Sequence, residues 1–244
     1  MSNSEFSDGF DTLVSAYVLN SGLNDDNMFR FDEYEKSKFL TKAQEEIILE
    51  YYSGKNPFDE SFEKNEEARR YLTSLVKTAK ITTQAAKDGD DIDKDSVFYA
   101  LPVDSDQKED VWFITYEAVE VASDVEDPCM RGVILSVVPV REDEYYRTRN
   151  NPFRGPNKRR ALRLDVDDDR VEIVSKYKLS KYILRYLSKP TPIILIDLKD
   201  AGLSIDGKDE VTECALSSVL HRTILNRAVN LALQSRTKFT NNNE

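Results

Sequence analysis

Two spacings of apolar residues divide the chain into a helical part and a strand-rich part. In the first 80 residues, apolar side chains such as Phe10, Val14 and Val18 recur every three or four positions, which is typical of amphipathic helices. Thr41 followed by Gln44 has the pattern of a capping box and predicts the start of a new helix. The helices predicted in this part span residues 1–22, 31–38, 42–53 and 60–79.

Beyond residue 96 the pattern changes to short runs of Val, Ile and aromatic residues. The run 111–121 carries apolar side chains on both of its alternating faces, which is typical of a strand covered on both sides. The segment 180–189 fits either a short helix or a strand. The other predicted strands are 97–101, 132–140, 161–166, 170–176 and 192–198.

A long helix is predicted near the end of the chain, because Leu220 and Ile224 lie on one helical stripe within 216–236. Together these elements predict an α+β fold with N-terminal helices, a central, mostly antiparallel β-sheet or sandwich, and a long C-terminal helix. We predict a helical region at 1–80 and a β-rich domain at 81–244 that includes this helix.

The chain is acidic, and its composition excludes several classes of protein. It has 45 acidic and 34 basic residues and a formal net charge of −11. It has no run of about 18 apolar residues that would cross a membrane. The N-terminal sequence lacks the basic and apolar regions of a secretory signal. Much of the acidic charge lies in predicted turns at 88–95 and 104–110.

Candidate catalytic and zinc-binding residues are few. The two cysteines and the single histidine lack the close spacing of zinc ligands, and we predict buried free thiols at Cys129 and Cys214. Cys214 and His221 form a conceivable nucleophilic pair, but a packing or capping role for His221 is favoured. The sequence has neither a glycine-rich phosphate-binding motif nor a nucleophile elbow.

One acidic turn resembles a calcium-binding loop. Asp91, Asp93 and Asp95 match the first three ligand positions of an EF-hand. Ser96 and Pro102 stand where that loop needs glycine and glutamate, so a solvated acidic turn is favoured. We therefore predict no catalytic residues, no cofactor and no metal site, and a protein that is not an enzyme.

A basic stretch at 141–163 departs from the acidic average of the chain. Its Asn, Pro and Gly residues predict an exposed loop between two strands. Three interpretations are open: binding of nucleic-acid phosphates, a plain solvated loop, or an arm that docks on an acidic neighbouring subunit. We favour the docking arm, because another copy of this acidic chain complements it in charge.

The docking interpretation names particular side chains. Tyr145, Tyr146 and Phe153 are the predicted anchors, and the loop is expected to become ordered only on assembly. The predicted docking residues are Arg147, Arg149, Phe153, Arg154, Lys158, Arg159, Arg160 and Arg163.

The second half of the chain resembles a family of phage proteins over about residues 140–235. The segments that carry the resemblance are YYRTRNNPFRGPNKRRALRLDV, VEIVSKYKLSKYILRYLSKPTPIIL, GLSIDG and CALSSVLHRTILNRAVNLAL. The run LSKPTPIIL, followed by the helix that begins near Leu216, is the most distinctive part. These segments are similar to the head-to-tail connector, or ring, proteins of crAss-like and related Bacteroidetes-infecting tailed phages.

The resemblance implies a non-enzymatic structural virion protein that forms a homo-oligomeric ring of about twelve copies between the portal and the tail. The implied partners are the portal protein, other connector and tail proteins, and genomic DNA that passes without sequence-specific contact; no membrane is involved. The expected location is the virion, after synthesis in the host bacterial cytoplasm. The acidic turns at 88–95 and 104–110 are candidates to face the DNA channel or the outer solvent. The alternative function is a nucleic-acid-binding accessory protein that uses the loop 141–163.

Overall fold

The computed structural model describes residues 1–21, 30–55, 62, 65–85, 96–103, 110–165 and 169–241, without the side chains of 20–21 and 237–241. The chain divides into two compact units, one formed by Met1–Leu75 with Pro190–Glu244 and the other by Val76–Lys189. The α-helices of the described residues are α1 (Asn3–Ser21), α2 (Glu33–Ser53), α3 (Glu66–Tyr71), α4 (Tyr145–Arg149) and α5 (Ser218–Asn241).

In the first unit, α5 packs along α2 and α1. Each of these helices buries one apolar face, as the spacing of its residues predicts. The buried side chains include Phe6, Phe10, Leu40, Ile47, Ile48, Ile224 and Ala228. The C-terminal helix therefore groups with the N-terminal helices, whereas the sequence places it with the β-rich segment 81–244. It also starts two residues later and extends further than the predicted 216–236.

The helix α2 is continuous, so the predicted break between 31–38 and 42–53 is wrong. Its start is fixed by Asp32, whose side chain accepts a hydrogen bond from the Glu35 backbone N–H at 2.7 Å. The Glu35 carboxylate in turn accepts from the Asp32 N–H at 3.2 Å, which completes a capping box. The capping box therefore begins at Asp32, nine residues before Thr41, where the sequence predicts it.

Thr41 and Gln44 hold an extended segment instead of starting a helix. Thr41 Oγ1 accepts a hydrogen bond from the Ile193 N–H at 3.0 Å, and Gln44 Nε2 donates to the Thr191 carbonyl at 2.8 Å. The prediction that 192–198 is a strand is wrong. The segment forms only a single bridge, between Ile194 and Thr212. Side chains of α2 thus bind part of its backbone, and the facing residues Asp209 and Thr212 bind another part.

The predicted helix 60–79 is shorter in the structure. Asn65 caps α3, with its Oδ1 accepting from the Glu67 N–H at 2.8 Å, and α3 ends at Tyr71. A strand then begins at Val76, because its residues pair with another strand of the second unit. Tertiary pairing thus overrides the helical spacing of this segment.

The strands of the described residues form one eight-stranded sheet. They are β1 (Val76–Ile81), β2 (Gln84–Ala85), β3 (Ser96–Ala100), β4 (Val111–Val121), β5 (Ile134–Pro139), β6 (Arg160–Asp165), β7 (Arg170–Val174) and β8 (Leu179–Ser188). The order in the sheet is β1-β8-β4-β5-β6-β7-β3-β2. The segment 180–189 is therefore a strand. The pair β5–β6 is parallel and the other pairs are antiparallel.

The sheet closes on itself through one segment of chain. β1 pairs with β8 and β2 pairs with β3, at opposite ends of the sheet, yet only Thr82 and Thr83 separate β1 from β2. The rings of Tyr99 on β3 and Tyr182 on β8 lie 5.4 Å apart. A flat sheet would place these strands about 24 Å apart. The curled sheet therefore encloses a core between its own strands.

That core contains side chains from most of the strands of the second unit. Buried members include Tyr99, Val119, Val121, Leu135, Ala161, Ile173, Tyr182 and Leu184. The prediction of an α+β fold with N-terminal helices, a mostly antiparallel sheet and a long C-terminal helix is confirmed. None of the described helices has the length and apolar character needed to cross a membrane.

Candidate subunit-docking loop

The basic loop connects β5 with β6 and covers residues 140–159. Because these two strands are parallel, the chain must cross from one end of the pair to the other, and a two-residue turn cannot do this. The loop is shorter than the predicted 141–163, since Arg160 already belongs to β6. It contains a short 3-10 turn at Glu142–Glu144 and then α4.

Tyr145 anchors the base of the loop on the sheet of its own chain. Its side chain is fully buried and packs with Leu162 and Leu164 of β6 and with Val174 of β7. The prediction that Tyr145 is an anchor for a neighbouring subunit is therefore wrong. Tyr146, the next residue on α4, is 62% exposed and remains accessible. Two consecutive residues of α4 are thus a buried structural aromatic residue and an exposed one.

The outer part of the loop is held by hydrogen bonds of its own. Asn151 Oδ1 accepts from the backbone N–H groups of Phe153 at 2.9 Å and Arg154 at 3.2 Å, and the Asn151 carbonyl accepts from Gly155 at 2.8 Å. Arg160 Nη1 donates to the carbonyls of Phe153 and Arg154. These contacts give the loop a defined conformation in the single chain, in contrast to the expected ordering on assembly.

The loop presents an exposed aromatic ring among cations. Phe153 is 85% exposed, the largest exposed fraction among the large apolar side chains of the described residues. Arg147, Arg149, Arg154, Lys158 and Arg159 are also exposed. Lys158 Nζ lies 3.0 Å from Asp127 Oδ2, and this hydrogen bond lowers the pKa of Asp127. An exposed ring on a loop that also exposes several arginines is a composition that suits a protein interface.

Arg163 does not belong to this surface. It lies in β6, and its Nη1 is 3.1 Å from Glu117 Oε1 of β4, with the two side chains only 11% and 8% exposed. Burial raises the pKa of the Glu117 carboxyl, an effect that Arg163 and the hydroxyl of Tyr182 offset only in part. Arg160 supports the loop from within. The exposed members of the predicted docking set are therefore Arg147, Arg149, Phe153, Arg154, Lys158 and Arg159.

The acidic turns that are candidates to face DNA lie almost wholly outside the described residues, at 88–95 and 104–109. Asp110, the last residue of the second turn, is described and is buried. Its carboxylate lies 2.8 Å from Lys77 Nζ and accepts a hydrogen bond from the Tyr186 hydroxyl at 2.8 Å. Asp110 therefore holds β1 and β8 to the start of β4.

Cys214 and His221, the conceivable nucleophilic pair, each contact other residues. Both cysteines are free thiols, and Cys129 is exposed rather than buried as predicted. Cys214 Sγ contacts Gln44 Oε1 at 3.3 Å, and burial raises the pKa of its thiol. His221 packs against Phe6, and its Nε2 lies 3.1 Å from the Leu216 carbonyl oxygen. This is the packing role that the sequence favours for His221.

Acidic and metal-binding side chains form no metal centre within the described ranges. No group of three or more His, Cys, Asp or Glu side chains there is placed to hold a metal ion. Asp91, Asp93 and Asp95, which partly match an EF-hand loop, lie outside the described residues.

Comparisons with known proteins identify the family. The phage tail ring protein 3/4 model matches residues 1–244. The chain is 49% identical to ring protein 3 of Bacteroides phage crAss001 over 246 residues, covering 100% of both chains. It is 29% identical to ring protein 4/5 of the same phage over 242 residues, covering 95% of this chain and 92% of the relative. The likeness thus extends over the whole chain and not only over the second half, and the chain belongs to the phage tail ring protein 3/4 family.

Proposed function

We propose that the protein is a structural, non-enzymatic subunit of a homo-oligomeric ring in the head-to-tail connector of a phage virion, between the portal and the tail. Membership of a family of tail ring proteins supports a structural role in the virion. The names of its relatives, ring protein 3 and ring protein 4/5, support assembly into a ring. We further propose that the ring has about twelve copies and lies in the connector.

One observation supports subunit docking through the basic loop. Phe153 stands 85% exposed at the tip of a loop that is already folded by its own hydrogen bonds. A single large exposed ring on a rigid support loses little conformational entropy when it is covered, so it is a favourable anchor for an interface. The surrounding arginines carry a charge opposite to that of the chain as a whole, which favours another copy as the partner.

The net charge also bears on the passage of DNA. A body with a formal net charge of −11 repels phosphate, so a ring of such subunits favours a duplex that moves without adhering to its wall. We propose that genomic DNA passes through the ring without sequence-specific contact. The same argument disfavours the alternative, a nucleic-acid-binding accessory protein that uses the loop.

The test reverses charges in the loop. We expect the Arg147→Glu/Arg159→Glu variant to fold normally and to lose ring assembly, whereas the control Arg185→Glu/Arg222→Glu, which alters exposed arginines elsewhere, assembles as the native chain does. Arg160 is left unchanged because it supports the backbone of Phe153 and Arg154. The measurements are molar mass by light scattering and particle shape by electron microscopy, with and without the portal protein of the same phage.

The outcomes separate the parts of the proposal. If the loop variant assembles as well as the control, the proposal that subunits dock through the loop is wrong, while the proposal of a ring still stands. A native chain that stays monomeric alone and beside the portal protein would overturn the ring itself. Tight duplex binding that weakens steeply with salt, and that the loop variant loses, would favour the nucleic-acid alternative.

A further inference from the structure

A second exposed surface lies in the helical unit, at residues 194–213, which we call the acidic hairpin. Two segments face each other there: Ile194 and Thr212 exchange two backbone hydrogen bonds of 3.2 Å, and the Leu198 N–H donates to the Asp209 carbonyl at 2.8 Å. One side of the hairpin is buried, with Ile194, Leu198 and Ile205 packed together and against Tyr34 of α2. The hairpin is therefore a fixed part of its unit.

Other residues of the acidic hairpin expose aliphatic side chains. Ile196 is 45% exposed, Val211 is 51% exposed and Leu203 is 39% exposed. Ile196 and Val211 lie on the two facing segments, each within two residues of the Ile194–Thr212 bridge. With Leu203 they are the large exposed aliphatic residues of a segment whose other exposed residues are mostly polar or charged.

The charges of the acidic hairpin and of the basic loop are complementary. The hairpin has six acidic residues and two basic ones, a net charge of −4, while the loop 140–159 has six basic and three acidic ones, a net charge of +3. Each surface also exposes apolar side chains, aliphatic on the hairpin and aromatic on the loop. Apolar side chains surrounded by opposite charges on two surfaces fit the usual arrangement of a protein interface.

We infer that the basic loop of one copy docks on the acidic hairpin of the next copy, with Phe153 covering Ile196, Leu203 and Val211. The inference rests on the proposed ring and names the acceptor surface within it. Because loop and hairpin are different surfaces of one chain, the contact is head-to-tail, and a succession of such contacts closes into a ring when the rotation between copies fits.

Cross-linking between two single-cysteine chains tests the contact directly. In a background with Cys129→Ser and Cys214→Ser, one chain carries Pro152→Cys beside the loop tip and a second, tagged chain carries Ser204→Cys beside Leu203. Both positions are exposed, and neither change removes Phe153 or the aliphatic side chains. The control pair replaces Pro152→Cys with Tyr116→Cys, a position on β4 that is 54% exposed. A short bis-maleimide is added to mixed, assembled chains.

We expect the loop–hairpin pair to give a cross-linked product of two chains at a yield on the order of tenfold above the control pair, and Phe153→Ala to reduce that yield to the control level. Far-ultraviolet circular dichroism checks that every variant is folded. Rings that form while the yield stays at the control level would overturn the loop–hairpin contact and leave the ring proposal standing. Chains that never assemble would overturn the ring proposal and the contact with it.

Discussion

Glu117 and Arg163 form a buried ion pair between strands that are not neighbours in the sheet. Glu117 Oε1 on β4 lies 3.1 Å from Arg163 Nη1 on β6, although β5 stands between these strands in the sheet order. Tyr182 on β8 donates a hydrogen bond to the other carboxylate oxygen at 2.9 Å. Three strands of the curled sheet are thus joined through one carboxylate, and Arg163 stabilises the unit rather than an interface.

Removing the arginine leaves a buried carboxylate without its countercharge. We expect Arg163→Met to lower the free energy of unfolding by roughly 3–5 kcal/mol at neutral pH. Glu117→Gln should cost less, because Arg163 keeps its contact with Asp165 at 3.2 Å. Urea unfolding measures both variants, with Arg185→Met as the exposed control. A loss for Arg163→Met no larger than that of the control would show that the pair contributes nothing to stability.

The protonation of Glu117 gives stability a dependence on pH. Burial raises the pKa of this carboxyl in the folded chain above its ordinary value of 4.5, so the folded state holds the proton more tightly than the unfolded state does. The contribution of Glu117 to stability is therefore full below pH 4.5 and is lost as the pH rises through the folded pKa. Relative to Glu117→Gln, we expect the native chain to lose stability over this interval.

Paired unfolding curves at several pH values measure this difference. The Gln variant serves as the reference because the two chains differ only at residue 117, so the effects of distant residues on stability cancel in the comparison. A difference in unfolding free energy that stays constant from pH 4 upward would contradict a raised pKa for Glu117 in the folded chain. A native chain that gains stability relative to the variant would contradict it as well.

Much of the fold follows from the spacing of apolar residues. The alternation within 111–121 predicts a strand covered on both sides, and β4 has those bounds, with Val119 inside the core and Ala118 also fully buried. The stripe of Leu220 and Ile224 likewise marks α5. These elements are predictable because their own side chains determine the face that is buried.

Elements that depend on distant partners were not predictable in the same way. Thr41 and Gln44 resemble a helix start, but they bind the backbone of residues 191–193, more than a hundred positions away in the chain. The strand β1 arises from pairing with β8, which local spacing does not reveal. In both places tertiary contacts decide between local alternatives of similar energy.

The candidate site shows the same division. The exposed loop between two strands follows from its Asn, Pro and Gly residues. The burial of Arg163 could have been predicted from the sequence. In a strand that starts at Arg160, Arg163 lies on the same face as Ala161, which is buried. The burial of Tyr145 could not be predicted from the sequence. It depends on Leu162, Leu164 and Val174, which are distant in the chain and form the surface under α4.

The two aromatic residues of the loop have separate roles that substitution can distinguish. We expect Tyr145→Ala to lower the free energy of unfolding by roughly 3–5 kcal/mol, because it leaves a cavity on the sheet. Phe153→Ala should change that free energy by less than about 0.5 kcal/mol, since its ring is solvent-exposed, and should weaken assembly. Thermal unfolding and molar mass measured on both variants check the contrast. Equal effects of the two changes on stability would contradict it.

Gly155 sets the shape of the loop through a close approach of backbone. A Cβ at this position would lie 2.5 Å from the Arg149 carbonyl oxygen and 2.9 Å from that of Asn151. Both neighbours are backbone atoms, so a side chain fits only if α4 or the turn at Asn151 shifts. We expect Gly155→Ala to disrupt the hydrogen bonds that support Phe153 and to weaken ring assembly, while the sheet stays folded.

The matched control is Gly132→Ala on the connection between β4 and β5. Gly132 has a φ of +69° and no atom within 4 Å of an added Cβ, so alanine there costs about 1 kcal/mol of backbone strain without a clash. Hydrogen exchange should show faster exchange at the amides of residues 153–155 only in Gly155→Ala, together with reduced molar mass in assembly. If both glycine variants assemble equally well, the conformation of the loop does not govern docking, and charge alone remains as its basis.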